Sequence, residues 1–209
     1  MSVLVDSYSE SNGGTNGSVR DDLYLRWGQS FTATAGVLDS AKFSIKRVGS
    51  PTGNLVATIY AHTGTYGTNT GKPTGSAIAT SDPIDVSTIS TTQALVTFTF
   101  TGANKITLVD ATKYCVVLER SGGSAWNGSN YIWVLADNSS PTHSGTTVYY
   151  TSSWNAYGAG VVDTPFYVYV DDPTGGTPVV GNPIGLLLAL TYSTATTIAE
   201  KVYFNIFGD

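Results

Sequence analysis

Apolar and polar side chains alternate along Ala94–Phe100 (ALVTFTF), so that the larger apolar residues fall on one face of an extended chain. The same two-residue period recurs in Ala41–Lys46 (AKFSIK) and in Pro165–Val170 (PFYVYV). In the last of these stretches the period places two tyrosines on the face opposite Phe166. A period of two is that of a β-strand with one face in the core and the other in water. These stretches therefore predict half-buried strands.

Two further stretches, Leu55–Tyr60 and Lys113–Glu119, are mostly apolar and predict strands that are buried on both faces. Turn-forming residues separate the predicted strands, as in Gly49–Asn54 (GSPTGN) and Asp172–Gly176 (DPTGG). Short strands that are bounded by turns, with no amphipathic helices between them, are typical of an antiparallel sandwich or barrel. The sequence therefore predicts an all-β, antiparallel fold.

The 209 residues are expected to form one sandwich over residues 1–171, a Gly/Pro-rich linker over 172–183 and a C-terminal β extension over 184–209. The extension contains two predicted strands, Ile184–Tyr192 and Glu200–Phe207. Exposed strand edges and apolar side chains invite pairing with another subunit. The extension is therefore the predicted assembly segment, and the apolar residues expected to carry it are Ile184, Leu186, Leu188, Leu190, Val202, Phe204 and Phe207.

A second irregular region is predicted from His62 to Asp82, which contains four glycines and the dipeptide Lys72-Pro73. A loop of this length inside a compact domain is uncommon and is often functional.

The composition excludes several classes of protein. Charged residues are 12% of the chain, with 10 Lys and Arg against 15 Asp and Glu, and the only basic pair is Lys46-Arg47. Duplex nucleic acid requires clustered cations, so it is not expected as a ligand. The single cysteine, Cys115, excludes an intramolecular disulfide, and its apolar neighbours predict a buried thiol.

No membrane insertion or secretion is expected either. The longest apolar stretch near the C-terminus, residues 184–190, is too short to cross a bilayer as a helix. The N-terminus lacks the basic region and the apolar core of a secretion signal.

Several short phrases follow one another in a characteristic order. They are Asp6–Asn12 (DSYSESN), Gly28–Ala33 (GQSFTA), Leu38–Phe43 (LDSAKF), Gly49–Asn54 (GSPTGN), Ile59–Gly67 (IYAHTGTYG), Pro73–Gly75 (PTG), Ala79–Asp82 (ATSD), Thr112–Tyr114 (TKY) and Ser139–Gly145 (SSPTHSG). Over about residues 6–170, this order resembles a β-sandwich module of tailed-phage and prophage structural proteins. Related modules occur in bacterial surface proteins whose anchor segments vary.

The resemblance implies a jelly-roll sandwich without a known catalytic set, and thus a non-enzymatic virion structural protein. Such a protein would be a capsid decoration or a part associated with the tail or tail fibre, and it would act through adhesion between subunits. Its partners would be other virion proteins and copies of itself, with a trimer suggested by family analogy. Its location would be the virion, assembled in the host cytoplasm.

Catalytic and metal-binding patterns are not found in the sequence. His62 and His143 are the only histidines, both in turn-rich phrases where a loop hydrogen bond is the expected role. No Gly-x-Ser-x-Gly elbow and no metal-ligand spacing of His or Cys occurs. Glu119, beside Arg120, is interpreted as a structural ion pair or a solvated strand end. We therefore predict no catalytic residue, no metal and no cofactor.

One alternative for a metal remains open. Asp137, Asp163, Asp171 and Asp172 would supply oxygen ligands for Ca²⁺ if they met at one end of the sandwich, although aspartates are also common in turns.

Aromatic residues are dense between residues 126 and 157, and many of them lie beside Gly, Asn or Ser. Exposed rings would pack against the C–H faces of sugars while neighbouring polar groups bind the hydroxyls. The alternative function is therefore an adhesin module that recognises cell-surface glycans, with the candidate residues Trp126, Tyr131, Trp133, Trp154 and Tyr157. The competing interpretation places these rings in the core or in a subunit interface, where Tyr and Trp are also enriched.

Overall fold

A computed structural model of the protein describes residues 1–172, whose regular elements are β-strands and three short 3-10 helices. The strands are β1 (Ser2–Tyr8), β2 (Thr15–Val19), β3 (Arg26–Thr32), β4 (Gly36–Val48), β5 (Asn54–Thr63), β6 (Lys72–Thr80), β7 (Ile84–Asp85), β8 (Ala94–Thr99), β9 (Thr107–Leu108), β10 (Lys113–Ser121), β11 (Tyr131–Ala136), β12 (Thr147–Tyr150), β13 (Trp154–Ala156) and β14 (Phe166–Asp171). The predicted linker beyond Asp172 and the C-terminal extension, with all seven assembly residues, lie outside the described residues.

The strands form two antiparallel sheets. The first sheet has the order β1-β14-β4-β11-β2, with β8 and β9 also paired to the long strand β4. The second sheet has the order β13-β12-β3-β10-β5-β6, with β7 paired to β5. This arrangement confirms the predicted all-β, antiparallel sandwich. The jelly-roll connectivity that the resemblance implies stays a prediction.

The core lies between the two sheets and is rich in phenylalanine. Phe43, Phe98 and Phe166 from the first sheet are fully buried, as is Phe31 from the second. The ring centroids of Phe31 and Phe166 lie 6.3 Å apart and join the two layers. β14 shows the predicted alternation, with buried Phe166, Val168 and Val170 between partly exposed neighbours. The two-residue period therefore predicted the buried face of β14 correctly.

The predicted loop from His62 to Asp82 is mostly wrong. β5 continues to Thr63 and β6 runs from Lys72 to Thr80, so only residues 64–71 and 81–82 of the predicted loop lie outside strands. Pro73 lies within β6, opposite His62. The proline is tolerated there because β6 is at the edge of the second sheet, where an N–H can face away from the neighbouring strand.

Cys115 is buried, as predicted, but it is not part of the main core. With Tyr60, Val117 and Val148 it forms a second apolar cluster, against which Trp154 of β13 packs. Burial raises the pKa of the Cys115 thiol, so the thiol stays protonated. This cluster packs Trp154 and Ala156 of the edge strand β13 against the second sheet.

Candidate functional site

A row of four side chains crosses four strands on the outer face of the second sheet. Glu119 of β10 lies opposite Arg26 of β3, and Arg26 lies opposite Tyr150 of β12. Tyr150 in turn lies opposite Trp154 of β13. Directly opposed residues of antiparallel strands share a face and lie within contact distance. The register alone therefore brings a carboxylate, a guanidinium and two rings together, and we call this set the guanidinium row.

Arg26 is the centre of the guanidinium row. Its Nε donates to Oε2 of Glu119 at 2.5 Å. Its Cζ lies 4.8 Å from the ring centroid of Tyr150 and 5.5 Å from that of Trp154, within the range of cation–π attraction. The Arg26 side chain remains 32% exposed. Within residues 1–172, no hydrogen bond from either of its Nη groups is found.

Glu119 is held by more than its ion pair. Its Oε1 accepts hydrogen bonds from the hydroxyl of Thr58 and, at 3.3 Å, from the hydroxyl of Tyr60. Burial, together with the negative charge of Glu119, raises the pKa of Tyr60, so the phenol stays protonated and can donate this bond. Both carboxylate oxygens are thus engaged, and the carboxylate fixes the orientation of the Arg26 guanidinium.

A recess of about 210 Å³ opens beside the guanidinium row. Its lining residues are Asp21, Leu25, Arg26, Glu119, Arg120 and Tyr150. Arg120 binds Asp21 at 3.2 Å and donates to the carbonyl of Gly122 at 2.9 Å, which fixes this wall to the following loop. The recess combines oriented donors and acceptors with the edge of an aromatic ring, which suits a small polyhydroxylated ligand.

The five predicted glycan-binding residues do not form one surface. Trp154 belongs to the guanidinium row, whereas Tyr131 and Trp133 lie on β11 of the first sheet. Tyr157 packs beside the main core, with its ring centroid 6.0 Å from that of Trp27. The expectation that these rings form one exposed surface is therefore corrected, because β11 and β13 belong to different sheets.

Trp126 is buried and is not one of the exposed rings. Its side chain is 1% exposed, and its Nε1 donates to the carbonyl of Thr52 at 2.8 Å. Its backbone N–H donates to the carboxylate of Asp21 at 2.7 Å, so that the loop turns inward at this residue. The Gly, Asn and Ser neighbours of Trp126 suggested exposure, but these contacts bury the indole.

Sequence reasoning missed Arg26 and Tyr60. Tyr150 lies in the predicted aromatic stretch but was not among the candidate residues. Of the two interpretations of Glu119, an ion pair or a solvated strand end, the structure shows the ion pair, and the partner is Arg26 on the adjacent strand. Arg120, the next residue of the strand, lines the same recess but pairs with Asp21.

His143 belongs to a largely buried polar network between the two sheets. Its Nδ1 accepts from the backbone N–H of Gly145 at 3.0 Å and lies 3.1 Å from Nε2 of Gln29. Its Nε2 lies 3.3 Å from Oδ1 of Asp6. The predicted loop hydrogen bond is therefore confirmed for His143. For His62, no hydrogen-bond partner of Nε2 occurs within residues 1–172.

The aspartates considered for Ca²⁺ separate into two places. Asp137 and Asp163 are joined through their backbones, with N–O distances of 2.8 and 2.9 Å, and both are buried. The carboxylate of Asp137 accepts from Tyr8 at 2.6 Å, and that of Asp163 accepts from Gln29 at 2.9 Å. Asp171 binds Lys105 instead. Residues 1–172 contain no group of three or more His, Cys, Asp or Glu that could hold a metal ion.

Asp6, a member of this network, predicts a loss of stability in acid. Burial acts to raise the pKa of Asp6, but hydrogen bonds from His143, Thr32 and Ser7 outweigh it and hold the pKa below its usual value. An acid whose pKa is lowered by folding stabilises the fold above its unfolded pKa of about 3.9 and loses this contribution as the pH falls further. We expect the Asp6→Asn variant to be about 1–2 kcal/mol less stable at pH 6, with a smaller difference at pH 3.

Urea unfolding at both pH values measures this difference, with Asp110→Asn as the control because Asp110 is exposed. The Asp6→Asn variant should still lose some stability in acid, since the pKa of Asp137 is also lowered. Burial opposes this shift, and hydrogen bonds from donors such as Tyr8 cause it. Equal losses for Asp6→Asn at pH 6 and pH 3 would contradict the assignment.

Comparison of the chain with protein-family models, with curated proteins and with solved structures finds no match. Across residues 1–172, no helix has the length and apolar character needed to span a membrane.

Proposed function

We propose that this chain is a non-enzymatic structural protein of a tailed-phage particle that acts by adhesion, and that its sandwich binds saccharide at the guanidinium row. The two parts rest on different evidence. The particle setting rests on the resemblance of residues 6–170 to phage structural modules. The saccharide-binding part rests on the geometry of the outer face of the second sheet.

The observation that carries the saccharide-binding part is the position of Arg26 between Glu119 on one side and Tyr150 and Trp154 on the other. A fixed guanidinium offers parallel donors to neighbouring sugar hydroxyls, and a carboxylate accepts from them. Aromatic rings bind the apolar C–H faces of the same sugar. These three kinds of group adjoin one recess, which is the arrangement that a sugar ligand requires.

The surroundings of Glu119 favour binding over hydrolysis. Glycosidases use two carboxyl groups, one of which donates a proton to the leaving group. In this site Glu119 accepts from Arg26, Thr58 and Tyr60, which makes it an acceptor and not a proton donor. The second carboxylate at the recess, Asp21, is itself bound to Arg120.

A screen of the full chain against neutral glycans tests the saccharide-binding part. For a glycan that binds, we expect Trp154→Ala and Arg26→Lys each to weaken binding about tenfold, since each removes a contact worth about 1.4 kcal/mol. Trp133→Ala is the matched control, because Trp133 is a partly exposed tryptophan on the other sheet. Arg26→Lys keeps the charge but not the planar donors, so it separates recognition from loss of folding.

Two outcomes would overturn this part of the proposal. One is the absence of binding to any neutral glycan. The other is binding that survives Trp154→Ala and Arg26→Lys but disappears in Trp133→Ala, because the ligand would then occupy the first sheet.

One feature of the described residues supports adhesion between subunits. β1 is at an open edge of the first sheet, and its Val3 and Leu4 are 44% and 47% exposed. Open edges with apolar side chains favour pairing with another chain. Purified particles from a host that carries the gene should contain the protein, and a chain that ends at Asp172 should have much lower occupancy. Absence from particles would overturn the particle setting, and full occupancy of the truncated chain would exclude residues 173–209 as the anchor.

A further inference from the structure

The polar network between the two sheets contains a side-chain amide that is surrounded by chemically active groups. Gln29 of β3 and Thr147 of β12 lie directly opposite each other in the register of the second sheet. Both residues are completely buried. The hydroxyl of Thr147 donates a hydrogen bond to Oε1 of Gln29 at 3.1 Å. A hydroxyl nucleophile and a carboxamide therefore meet in a part of the domain from which water is excluded.

The position of the Thr147 hydroxyl is fixed from two sides. An amide carbonyl oxygen can only accept, so Thr147 gives its one hydroxyl proton to Gln29. The Oγ1 of Thr147 also lies 2.8 Å from Oγ1 of Thr164, which is therefore the donor of that bond. Nε1 of Trp27 in turn donates to Oγ1 of Thr164 at 2.9 Å. This chain of hydrogen bonds holds the Thr147 oxygen beside the amide of Gln29.

The carbonyl oxygen of Gln29 has a second donor. The backbone N–H of Thr164 donates to Oε1 at 2.9 Å. When a hydroxyl adds to the carbon of a carbonyl group, negative charge develops on the carbonyl oxygen, and a fixed N–H stabilises that charge. Thr164 therefore supplies the kind of donor that an acyl-transfer reaction at Gln29 requires.

The amide nitrogen of Gln29 faces groups that exchange protons. Its Nε2 donates to Oδ1 of Asp163 at 2.9 Å and lies 3.1 Å from Nδ1 of His143. Asp163 is 2% exposed, and this burial raises the pKa of its carboxyl group. A raised pKa brings a carboxyl group closer to the range in which it both takes up and returns a proton at neutral pH. The amide nitrogen therefore has a proton carrier at hydrogen-bond distance.

We propose that Thr147 and Gln29 react with each other to form an intramolecular ester cross-link. The Oγ1 of Thr147 bonds to Cδ of Gln29, and the bond between Cδ and Nε2 breaks. The hydroxyl proton ends on the departing nitrogen, where Asp163 exchanges protons, and this nitrogen leaves as ammonia. One ester and one ammonia are formed from one hydroxyl and one amide, so the reaction requires no oxidant and no second substrate. It occurs once in each chain and converts no external molecule.

Burial favours both the formation and the survival of the ester. A hydroxyl held beside a carbonyl group reacts as if it were present at a very high concentration. The complete burial of Gln29 and Thr147 excludes the water that would hydrolyse the product. The two residues are 118 positions apart, so the link closes a long loop and restricts the unfolded chain. A chain with the single cysteine Cys115 cannot obtain such a link from a disulfide within itself.

The intact mass of the purified, folded full chain tests the proposal. After incubation at neutral pH we expect a mass about 17 Da below that calculated for the unlinked chain, which is the loss of one ammonia. Protease digestion should release a fragment that joins β3 to β12, and hydroxylamine, which cleaves esters, should separate its two parts. Thr147→Val keeps the shape of the side chain without the hydroxyl and should retain the full mass. Thr147→Ser keeps the hydroxyl and should still lose ammonia.

Thr164→Val is the matched control, because Thr164 is equally buried but its hydroxyl contacts Thr147 and Trp27, not the amide of Gln29. We expect this variant to form the link. Asn-Gly sequences such as Asn127-Gly128 also lose ammonia when they form a succinimide, but a succinimide joins no second fragment.

The mass of the wild-type chain decides the proposal even if a variant fails to fold. A wild-type chain that retains the full calculated mass would overturn it. A loss of ammonia that persists in Thr147→Val, or that gives no fragment joining β3 to β12, would overturn it as well. Binding of saccharide at the guanidinium row is measured separately, so neither result depends on the other.

Discussion

Replacing Gln29 by leucine should lower the free energy of unfolding by about 3–5 kcal/mol, although the two side chains have similar volumes. Gln29 is completely buried and lies at the centre of the polar network between the sheets. Its Nε2 donates to Oδ1 of Asp163 at 2.9 Å. Its Oε1 accepts from the N–H of Thr164 at 2.9 Å and from the hydroxyl of Thr147 at 3.1 Å.

The large expected effect comes from what the leucine leaves behind. Asp163 is buried, and desolvation already raises the pKa of its carboxyl group, opposed by donors such as Gln29. Without this donor, the carboxylate loses a hydrogen bond in a place that water does not reach, and the N–H of Thr164 loses its acceptor. A buried polar group without a partner costs about 1–3 kcal/mol, and here two such groups are created.

Chemical unfolding of Gln29→Leu and Gln93→Leu measures this effect with a matched control, since these are the only two glutamines of the chain. Gln93 is partly exposed and makes one side-chain hydrogen bond, to Ser44. Its replacement should cost less than about 1 kcal/mol, because water takes over the lost bond. Similar losses for the two variants would show that the network of Gln29 does not contribute as argued.

The variant Gly28→Ala should lose about 3 kcal/mol of stability, which corresponds to a fall in Tm of about 6–12 °C for a domain of this size. Gly28 lies in β3, between Val117 of β10 and Val148 of β12. A Cβ at this position would lie 2.0 Å from the carbonyl oxygen of Val116 and 2.7 Å from the Cα of Val117. Because these are backbone atoms of a central strand, the sheet itself must shift to accept the methyl group.

Gly14→Ala is the matched control, since a Cβ there would have nothing within 4 Å. We expect its free energy of unfolding to change by less than about 0.5 kcal/mol. Thermal unfolding of both variants by circular dichroism measures the difference. An unchanged Tm for Gly28→Ala would mean that β3 and β10 are less closely paired than described. Because Arg26 and Glu119 lie on the same two strands, the Gly28 variant should also weaken saccharide binding at the guanidinium row.

Much of the fold could be predicted because its signals are local. The alternation in Pro165–Val170 correctly separated the buried Phe166 from the outward tyrosines, and the apolar run around Cys115 correctly predicted a buried thiol. The loop prediction around Pro73 failed since glycine and proline were taken as loop signals, while an edge strand accepts both.

Which aromatic rings share a surface could not be predicted from local sequence. Trp133 and Trp154 are 21 residues apart in the same aromatic-rich stretch, yet they lie on different sheets. Trp126 has the polar neighbours of an exposed residue but is buried by contacts with Asp21 and Thr52, which lie far away in the chain.

The amino-acid sequence by itself determined that this protein is an antiparallel β-sandwich, and which face of most strands is buried, because a two-residue period is a property of each strand alone. Only the tertiary structure decided which side chains become neighbours. Glu119 meets Arg26, and Arg26 meets Tyr150, through the register between strands that are distant in the chain. Register depends on the packing of all strands together, since a shift by one residue would send each of these side chains to the opposite face.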